Sequence, residues 1–389
     1  MTTFSYDPDV IGFATDLRDD TAVDTCTLER VSAELPDRQV NESLLLAEHT
    51  TFRVGGPARR LVHATTDDEV VQAVHEADRA GEPLLVLSGG SNVLIADEGF
   101  EGTVVMVDTH GLVGDVSECG GALVRVKAGE NWDDFVSYTI DQEWSGIEAL
   151  SGIPGLVGAT PIQNVGAYGQ EVSQTLARVR TWDRQLGEFR TFTGDKCGFG
   201  YRDSLFKRSR EPEQATGRYV VLEVWYQFRL ASLSEPVRYA QLASLLEVPV
   251  GKRVPAREVR QAVLELRSQK GMVLNPDDHD TWSAGSFFTN PIITAEEAAH
   301  LPSGAPRFAQ PDGRIKTSAA WLIDHAGFPK GFPGTGQARL STRHVLALTN
   351  RGQATASELA DLARQLRAGV QDRYGIKLVP EPVLVGLSL

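Results

Sequence analysis

A regular pattern of apolar and polar positions begins after residue 41. Four apolar residues between positions 70 and 77 recur at helical spacing behind the capping-box sequence Thr66-Asp67-Asp68-Glu69, and Gly81 follows them. This pattern predicts an amphipathic helix that ends at Gly81. The apolar run Leu84–Leu87 is typical of a buried strand, and the run Val93–Ile95 follows a turn of serine and glycine. We therefore expect a strand–turn–strand or strand–loop unit after the helix.

The remaining pattern divides into a strand-rich part and a helix-rich part. Short β-branched and aromatic runs separated by glycine-rich turns predict strands over 103–107, 122–126, 177–181, 189–193 and 219–230. Beyond Pro236 the spacing becomes helical and predicts helices over 256–270, 317–325 and 357–374. The segment 376–385 predicts a closing pair of strands. We expect an α+β fold with a second domain that starts near Leu230.

Composition and charge exclude several classes of protein. The 389 residues allow two or three domains, and 41% of them are hydrophobic. Lys and Arg number 38 against 52 Asp and Glu, a formal net charge of -14, so we expect neither a nucleic acid nor an anionic membrane as partner. Mean hydropathy is -0.19, and no apolar run approaches the ~20 residues that a membrane-spanning helix needs.

The cysteines, the histidines and the first residues bear on cellular location and on metals. Cys26, Cys119 and Cys197 are an odd number without CxxC spacing, which argues against a disulfide framework and a zinc site and favours a reducing compartment. The eight histidines show no metal-ligand spacing, so we expect no metal; the role of His344 stays open. The acidic start of the chain lacks the features of an export signal, and we expect a cytoplasmic protein.

Two glycine-rich loops are the strongest indications of a ligand site. The loop 87–94 follows a buried strand, and its backbone N–H groups could face a pyrophosphate, although a plain tight turn explains the composition equally well. The loop 152–169 combines five glycines and two prolines with buried apolar residues. So many buried backbone groups need partners. A flat heteroaromatic ring such as a flavin would supply those partners.

Three further segments carry candidate chemistry, each with a structural alternative. Arg202 and Lys207 stand among aromatic residues and could pair with an anion or form a surface turn. Arg267 and Lys270 share a helix face, which without further context is better explained as a solvated charged face. Ser286 lies between Gly285 and two phenylalanines, where its hydroxyl could deliver a proton or simply belong to a strand edge.

Seven segments in order along the chain resemble the UDP-N-acetylenolpyruvoylglucosamine reductases, flavoenzymes of bacterial cell-wall precursor synthesis. The resemblance extends from about residue 42 to residue 386, and it implies an α+β fold with an FAD-binding domain of the vanillyl-alcohol-oxidase (PCMH) type and a smaller α+β substrate-binding domain. The matching segments are 50–56, 88–94, 153–169, 201–207, 285–291, 316–331 and 380–381. The implied division is an acidic N-terminal arm at 1–41, an FAD-binding region of two subdomains at 42–230, a substrate-binding domain at 231–374, and a C-terminal strand at 375–389 that returns to the active site.

The resemblance also implies a reaction. FAD, bound non-covalently and reduced by NADPH as co-substrate, passes a hydride to C3 of the enolpyruvyl group of UDP-N-acetylglucosamine enolpyruvate, and protonation of C2 completes UDP-N-acetylmuramate. By resemblance Ser286 is the acid that protonates C2, while Arg202 and Glu381 hold and polarise the substrate carboxylate.

The binding residues follow from the same resemblance. The implied cofactor-binding residues are Ser88, Gly89, Gly90, Ser91, Asn92, Ile153, Gly158, Asn164, Gly166, Tyr168 and Gly169, and the implied substrate-binding residues are Tyr201, Tyr239, Lys270 and Asn290. Tyr239 matches the tyrosine of the loop that closes over the nucleotide sugar in the long-loop subtype, and the match favours a functional role for the Arg267 and Lys270 face. Val383 stands where some members have an arginine, so a substrate contact from that arginine is absent or supplied elsewhere.

Two other functions remain as alternatives. A flavin-dependent sugar or alcohol oxidase could use the same scaffold, but the loop 88–94 lacks the histidine that commonly bonds the flavin in such enzymes. A regulator that only binds nucleotide sugars is the non-catalytic alternative, and the presence of Ser286, Arg202 and Glu381 argues against it. We expect small-molecule partners only, namely the nucleotide sugar and NADPH, and a monomer.

Overall fold

A computed structural model describes residues 27–36 and 40–389. In the described residues the α-helices are α1 (Asp67–Ala80), α2 (Trp132–Asp141), α3 (Leu205–Arg208), α4 (Ala240–Leu245), α5 (Ala256–Gln269), α6 (Ala295–Ala299), α7 (Ala319–His325) and α8 (Ala356–Tyr374). Short 3₁₀ helices cover Leu46–His49, Glu148–Leu150, Val157–Ala159, Val172–Gln174, Gly194–Cys197 and His279–Thr281.

The same residues contain nineteen strands, most of them short. They are β1 (Glu29–Ala33), β2 (Ala58–Ala64), β3 (Leu84–Leu87), β4 (Val93–Ile95), β5 (Phe100–Val107), β6 (Leu112–Ser117), β7 (Gly121–Lys127), β8 (Trp144–Ser145), β9 (Gly166–Ala167), β10 (Gln170–Glu171), β11 (Leu176–Asp183), β12 (Glu188–Thr193), β13 (Tyr219–Leu230), β14 (Ile292–Ile293), β15 (Phe308–Ala309), β16 (Ile315–Lys316), β17 (Ala338–Leu340), β18 (Leu348–Asn350) and β19 (Val383–Val385). The strands expected at 103–107, 122–126, 177–181, 189–193 and 219–230 are all present, with ends that differ by at most a few residues.

The long strand β13 organises an antiparallel sheet of seven strands. The order is β1-β6-β7-β13-β11-β12, and β8 pairs with the end of β13. Alternate side chains of β13 face α2, where the rings of Phe135 and Tyr226 lie 5.3 Å apart. The buried hydroxyl of Tyr226 lies 2.8 Å from Thr160 Oγ1. The sheet thereby anchors the glycine-rich loop 152–169 to its core.

A smaller parallel sheet holds the first glycine-rich loop. Its order is β2-β5-β3, and α1 connects β2 to β3. The capping box expected at Thr66 is present, since its side chain accepts from Glu69 N, and Gly81 ends α1 at φ 65°. The expected strands β3 and β4 are present, but they do not pair: β3 pairs with β5, and β4 pairs in parallel with β19. The loop between β3 and β4 therefore crosses from one sheet to another.

The C-terminal half builds a separate apolar core around α7 and α8. Leu322, Leu359 and Leu366 are fully buried there and pack with Phe287 and Phe288. The helix expected at 317–325 begins two residues later, because Ser318 is its N-cap and accepts a hydrogen bond from the backbone N–H of Trp321. The other two expected helices are present as α5 and α8.

Two expectations are wrong in the structure, that of the closing strand pair and that of the cysteines. The closing pair of strands is wrong, because β19 pairs with β4 and the segment before it pairs with Phe288. Within the stretch 1–41, which was expected to form an arm, β1 pairs with β6 and Leu35 is buried beside the large sheet; residues 1–26 of this stretch lie outside the described residues. Cys197 is a free buried thiol, whereas Cys119 is disulfide-bonded, so the expectation of no disulfide is wrong for Cys119.

The described residues hold neither a membrane-spanning helix nor a metal-binding cluster. No helix between residues 27 and 389, the short gap at 37–39 excepted, is long and apolar enough to cross a bilayer. Across those residues no cluster of three or more His, Cys, Asp or Glu side chains has a geometry that could hold a metal ion.

Candidate active site

A cavity of about 910 Å³ lies where the two sheets and the C-terminal half meet. Its size is that of a site for a large organic ligand. Most of the expected site residues line this one cavity, although they come from distant parts of the chain. Those that line it are Ser88, Gly89, Gly90, Ser91, Asn92, Ile153, Gly158, Gly166, Tyr168, Arg202, Tyr239, Lys270, Ser286 and Glu381.

Two expected cofactor-binding residues stand behind the wall of the cavity. The Asn164 amide donates to Glu171 Oε2 at 2.8 Å and to the Gly200 carbonyl at 3.0 Å. Gly169 adopts φ +87°, and an added Cβ would lie 3.1 Å from Arg238 Cβ. These residues brace the loop from behind rather than face the cavity.

Two expected substrate-binding residues also lie outside the cavity lining. Tyr201 packs under Lys316, with the ammonium 4.6 Å from the ring centroid. The backbone N–H of Asn290 donates to the Tyr201 hydroxyl at 3.3 Å, and Asn290 Oδ1 accepts from Ala319 N at 3.0 Å. In this conformation both residues support the adjacent wall and the start of α7.

The first glycine-rich loop presents backbone without side chains, as an anion-binding nest requires. Gly90 adopts φ +60°, and an added Cβ would stand 1.8 Å from the His49 carbonyl oxygen. A Cβ on Gly89 would stand 2.8 Å from Gly155 Cα. No side chain fits at either position, so backbone amides form this part of the wall. The Ser88 hydroxyl is buried, and within the described structure it has no hydrogen-bond partner, as expected of a group that meets a ligand oxygen.

The second glycine-rich loop lies against the first. The Ser91 hydroxyl donates to the Pro154 carbonyl at 2.9 Å. An added Cβ on Gly158 would stand 2.5 Å from Ala128 Cβ, so this loop packs directly on the large sheet. Apolar side chains such as Leu156 and Ile153 line the cavity beside these backbone groups. A nest next to an apolar wall fits FAD, which combines a pyrophosphate with a flat ring system.

The C-terminal segment carries Glu381 to the cavity by pairing with two other segments. Glu381 N donates to the Phe287 carbonyl at 2.8 Å, which places the carboxyl close to the loop of Ser286. Two residues later, Val383 N donates to the Asn92 carbonyl at 3.0 Å. The family resemblance implied this return of the chain end, but the pairing itself is not visible in the residue pattern.

Glu381 and Arg202 form a partly buried ion pair at the cavity wall. Arg202 Nε lies 3.1 Å from Glu381 Oε1, and the two side chains are 21% and 14% exposed. Arg202 adopts φ +53°, and its Nη2 donates to the Gly166 carbonyl at 2.6 Å. Burial raises the pKa of Glu381, and the positive charges of Arg202 and Lys207 oppose that rise.

Lys207 and Lys270 add positive charge at the cavity wall. Lys207 Nζ donates to the Arg202 carbonyl at 2.9 Å, and burial lowers the Lys207 pKa. Lys270 Nζ donates to Gln241 Oε1 at 2.9 Å and lies 5.4 Å from the Tyr168 ring centroid. Burial also lowers the Lys270 pKa. Both ammonium groups are held by neutral partners and remain available to an anion.

Arg267 differs from its neighbour Lys270. Its guanidinium is buried and donates to the carbonyls of Gly152 and Met272 at 3.1 and 2.8 Å. The solvated charged face considered for this pair is therefore wrong for Arg267. Its side chain ties α5 to the second glycine-rich loop.

Two cavity residues were not assigned by sequence reasoning. Gln163 Nε2 donates to Glu381 Oε1 at 3.2 Å, and Gln163 lies inside the loop already marked as ligand-binding. His344 lines the cavity, and burial with the charges of Lys270 and Lys330 lowers its pKa to about 4. No spacing in the sequence distinguishes either residue from an ordinary loop residue.

Comparisons with known proteins agree with this geometry. Residues 58–193 match the family described as FAD binding domain, and residues 276–385 match the family described as UDP-N-acetylenolpyruvoylglucosamine reductase, C-terminal domain. The expected α+β fold with an FAD-binding domain of the PCMH type is thereby confirmed.

Relatives of high similarity carry one name. The chain is 61% identical over 350 residues to UDP-N-acetylenolpyruvoylglucosamine reductase of Cutibacterium acnes, covering 90% of this chain and 91% of that protein. It is 54% identical to the protein of the same name from Streptomyces coelicolor, with 88% and 90% covered. The crystal structure of the reductase from Thermus caldophilus superposes with a TM-score of 0.58 at 26% identity, covering 92% of this chain and 99% of that one. The chain belongs to the UDP-N-acetylenolpyruvoylglucosamine reductase family.

Proposed function

We propose that the cavity reduces the enolpyruvyl group of UDP-N-acetylglucosamine enolpyruvate, with Ser286, Arg202 and Glu381 as the catalytic residues. As a family member the protein is an FAD-dependent oxidoreductase of peptidoglycan precursor synthesis, a UDP-N-acetylmuramate dehydrogenase that uses NADPH. The observation that supports the residue roles is the meeting of these three side chains in one cavity with two glycine-rich loops suited to FAD.

The glycine-rich loops would hold FAD non-covalently. The backbone amides around Gly89 and Gly90 suit its pyrophosphate, and the Ser88 hydroxyl is free to accept or donate there. When bound and reduced by NADPH, FAD supplies a hydride for C3 of the enolpyruvyl group. The loops exclude water from the reacting atoms and fix the orientation of the substrate relative to the ring.

Arg202 and Glu381 would act on the substrate carboxylate. Addition of a hydride at C3 leaves a carbanion at C2, whose charge spreads into the neighbouring carboxylate. A buried guanidinium beside that carboxylate stabilises the added charge more than it stabilises the substrate. The Arg202–Glu381 contact of 3.1 Å holds the guanidinium in place before the substrate arrives.

Ser286 would then donate its hydroxyl proton to C2. A serine is a weak acid, but a carbanion is a strong base, so the transfer is downhill. Ser286 lines the cavity one residue before Phe287, whose carbonyl accepts from Glu381 N. Backbone pairing therefore holds Glu381 next to the proton donor.

Lys270 and Tyr239 would bind the nucleotide end of the substrate. The ammonium of Lys270 suits a diphosphate. The Tyr239 ring packs edge-on against Tyr168 at 5.3 Å and lines the cavity. Tyr239 lies in the stretch between β13 and α5, and its place at the cavity supports assignment to the long-loop subtype.

Three further proposals concern the domain division, the oligomeric state and the cellular location. We propose the division 1–41, 42–230, 231–374 and 375–389 for the arm, the FAD-binding region, the substrate-binding domain and the C-terminal strand. We also propose that the protein is a monomer, in which one chain lines the whole site. The use of NADPH and a nucleotide sugar supports a cytoplasmic location.

The test of this function is a product analysis with the purified protein. Heat should release flavin into solution, identified as FAD by its mass. NADPH consumption should depend on UDP-N-acetylglucosamine enolpyruvate, and the product mass should increase by two hydrogens. NADPH consumption that needs oxygen and leaves the nucleotide sugar unchanged would instead indicate an oxidase, and a colourless protein would indicate a binding protein.

A further inference from the structure

A chain of hydrogen bonds joins the first glycine-rich loop to Glu381. Asn92 Nδ2 donates to Gln163 Oε1 at 3.1 Å, and Gln163 Nε2 donates to Glu381 Oε1 at 3.2 Å. Asn92 Nδ2 also lies 3.3 Å from the Glu381 carbonyl oxygen, and the Asn92 carbonyl accepts from Val383 N. Three separate parts of the sequence thus meet in one network at the cavity wall.

The direction of each bond follows from the chemistry of Glu381. An ionised carboxylate only accepts, so Gln163 must present its amide nitrogen to it. The Gln163 oxygen is then left to accept from Asn92. The Glu381 oxygen that receives this bond is the same Oε1 that contacts Arg202 Nε. Gln163 and Arg202 therefore both contact Oε1 of the Glu381 carboxylate. Because Oε1 is fixed, the direction of the second oxygen, Oε2, is fixed as well.

We propose that Gln163, oriented by Asn92, is a positioning residue that fixes the Glu381 carboxylate in its pairing with Arg202. This role rests on the function proposed above and assigns Gln163 no contact with the reacting atoms. It also makes the loop that suits FAD part of the support of Glu381.

The groups around Glu381 determine how loss of Gln163 changes the Glu381 pKa. Arg202, Lys207 and Tyr201 are the titratable groups that interact with Glu381. Burial raises the Glu381 pKa, whereas Arg202, Lys207 and the bond from Gln163 lower it. Removal of the Gln163 donor therefore raises the pKa further. If the ionised form is the active one, the acidic limb of the pH profile moves to higher pH.

The test compares Gln163→Leu with the wild type in separate half-reactions at several pH values. We expect normal FAD content and normal flavin reduction by NADPH. Reoxidation by UDP-N-acetylglucosamine enolpyruvate should slow by ~10–100-fold, as for loss of a hydrogen bond to a charged group. The acidic limb of its pH profile should move to higher pH, because the donor that lowers the Glu381 pKa is gone.

A second variant of Gln163 and a control variant complete the test. Gln163→Glu keeps the shape of the side chain but adds a carboxylate beside Glu381, so the acidic limb should move further than in Gln163→Leu. Gln72→Leu is the matched control, because it breaks an exposed Gln–Glu hydrogen bond on α1 of 2.9 Å, away from the cavity. It should behave as wild type in both half-reactions.

The outcomes separate this proposal from the proposed function. A wild-type protein that is not reoxidised by the substrate overturns the proposed function. A wild type that is reoxidised, with an unchanged pH profile in both Gln163 variants, overturns the positioning role alone. Loss of FAD, or failure to fold, in both variants shows that Gln163 is a cofactor contact or a structural residue, and also overturns it.

Discussion

Arg202 Nε lies 3.1 Å from Glu381 Oε1 in a pair largely shielded from water. The two residues are far apart in sequence, and the contact exists because the C-terminal segment pairs with the residues after Ser286. A buried charge is stable when it is paired and hydrogen-bonded. The pair therefore places a guanidinium at the cavity wall and neutralises it until an anionic substrate binds.

Replacement of Arg202 by alanine should slow the reaction with substrate and leave the cofactor bound. We expect normal FAD content and flavin reduction, and reoxidation by the enolpyruvyl substrate slowed by at least ~10²-fold, the scale for loss of one charge-stabilising group. The Glu381 pKa should also rise, because its main counter-charge is gone. Arg257→Ala is the control, since its ion pair with Asp141 at 2.9 Å is 75% and 59% exposed. Loss of FAD in Arg202→Ala would contradict this role and would show that Arg202 binds the cofactor.

Replacement of Ser286 by alanine should affect only the second half-reaction. Reduction of FAD by NADPH involves no proton from Ser286, so its rate should stay near that of the wild type. Reoxidation by substrate should slow by ~10²–10⁴-fold, the usual range for loss of a general acid. Rapid-mixing absorbance under anaerobic conditions measures both rates. Equal slowing of the two half-reactions would contradict the role given to Ser286.

Replacement of Gly90 by alanine should empty the flavin site. The added methyl group would stand 1.8 Å from the His49 carbonyl, and the backbone would keep φ +60° only under strain. The loop must move, and we expect purified protein with little or no FAD. Gly81→Ala is a matched control, because Gly81 has a similar φ of +65° but no atom within 4 Å of the added Cβ. Its FAD content should be normal, with a stability loss of about 1 kcal/mol. Normal FAD binding by Gly90→Ala would contradict the proposal that the loop around Gly90 binds the FAD pyrophosphate.

His344 should make the protein less stable in mild acid. Its pKa is lowered from 6.5 to about 4, chiefly by burial and then by the charges of Lys270 and Lys330. Between these pH values the unfolded chain binds a proton that the folded protein does not, so stability is full above about pH 6.5 and is lost as pH falls toward 4. At pH 5 the loss is about 2 kcal/mol. Urea unfolding of the FAD-bound protein at pH 7 and pH 5 should show a smaller pH effect in His344→Gln; an identical pH effect in both proteins would contradict the buried neutral histidine.

The local part of the fold follows from the sequence because it depends on nearby residues. The capping box at Thr66 and the glycine at position 81 determine the ends of α1. The β-branched run of β13 marks the central strand of the large sheet. The partners of β4 and β19 do not follow in this way, because parallel pairing of two short apolar strands leaves no mark in either sequence. The expected closing pair at 376–385 was wrong for that reason.

The candidate site was predictable where it depends on glycine and on family motifs. Gly89 and Gly90 are required by close backbone approaches. Ser286, Arg202 and Glu381 were identified because the family's motifs occur in the same order in this chain. Gln163 was missed, because a glutamine in a loop acquires its role only when Glu381 comes within reach.

Anaerobic flavin absorbance of the wild-type protein tests the central claim most directly. The account predicts that NADPH bleaches the flavin band and that UDP-N-acetylglucosamine enolpyruvate restores it without oxygen. This result would establish that one cavity carries out both half-reactions. A band that is bleached by NADPH but recovers only when air is admitted would contradict the account, and the roles of Ser286, Arg202 and Glu381 would fall with it.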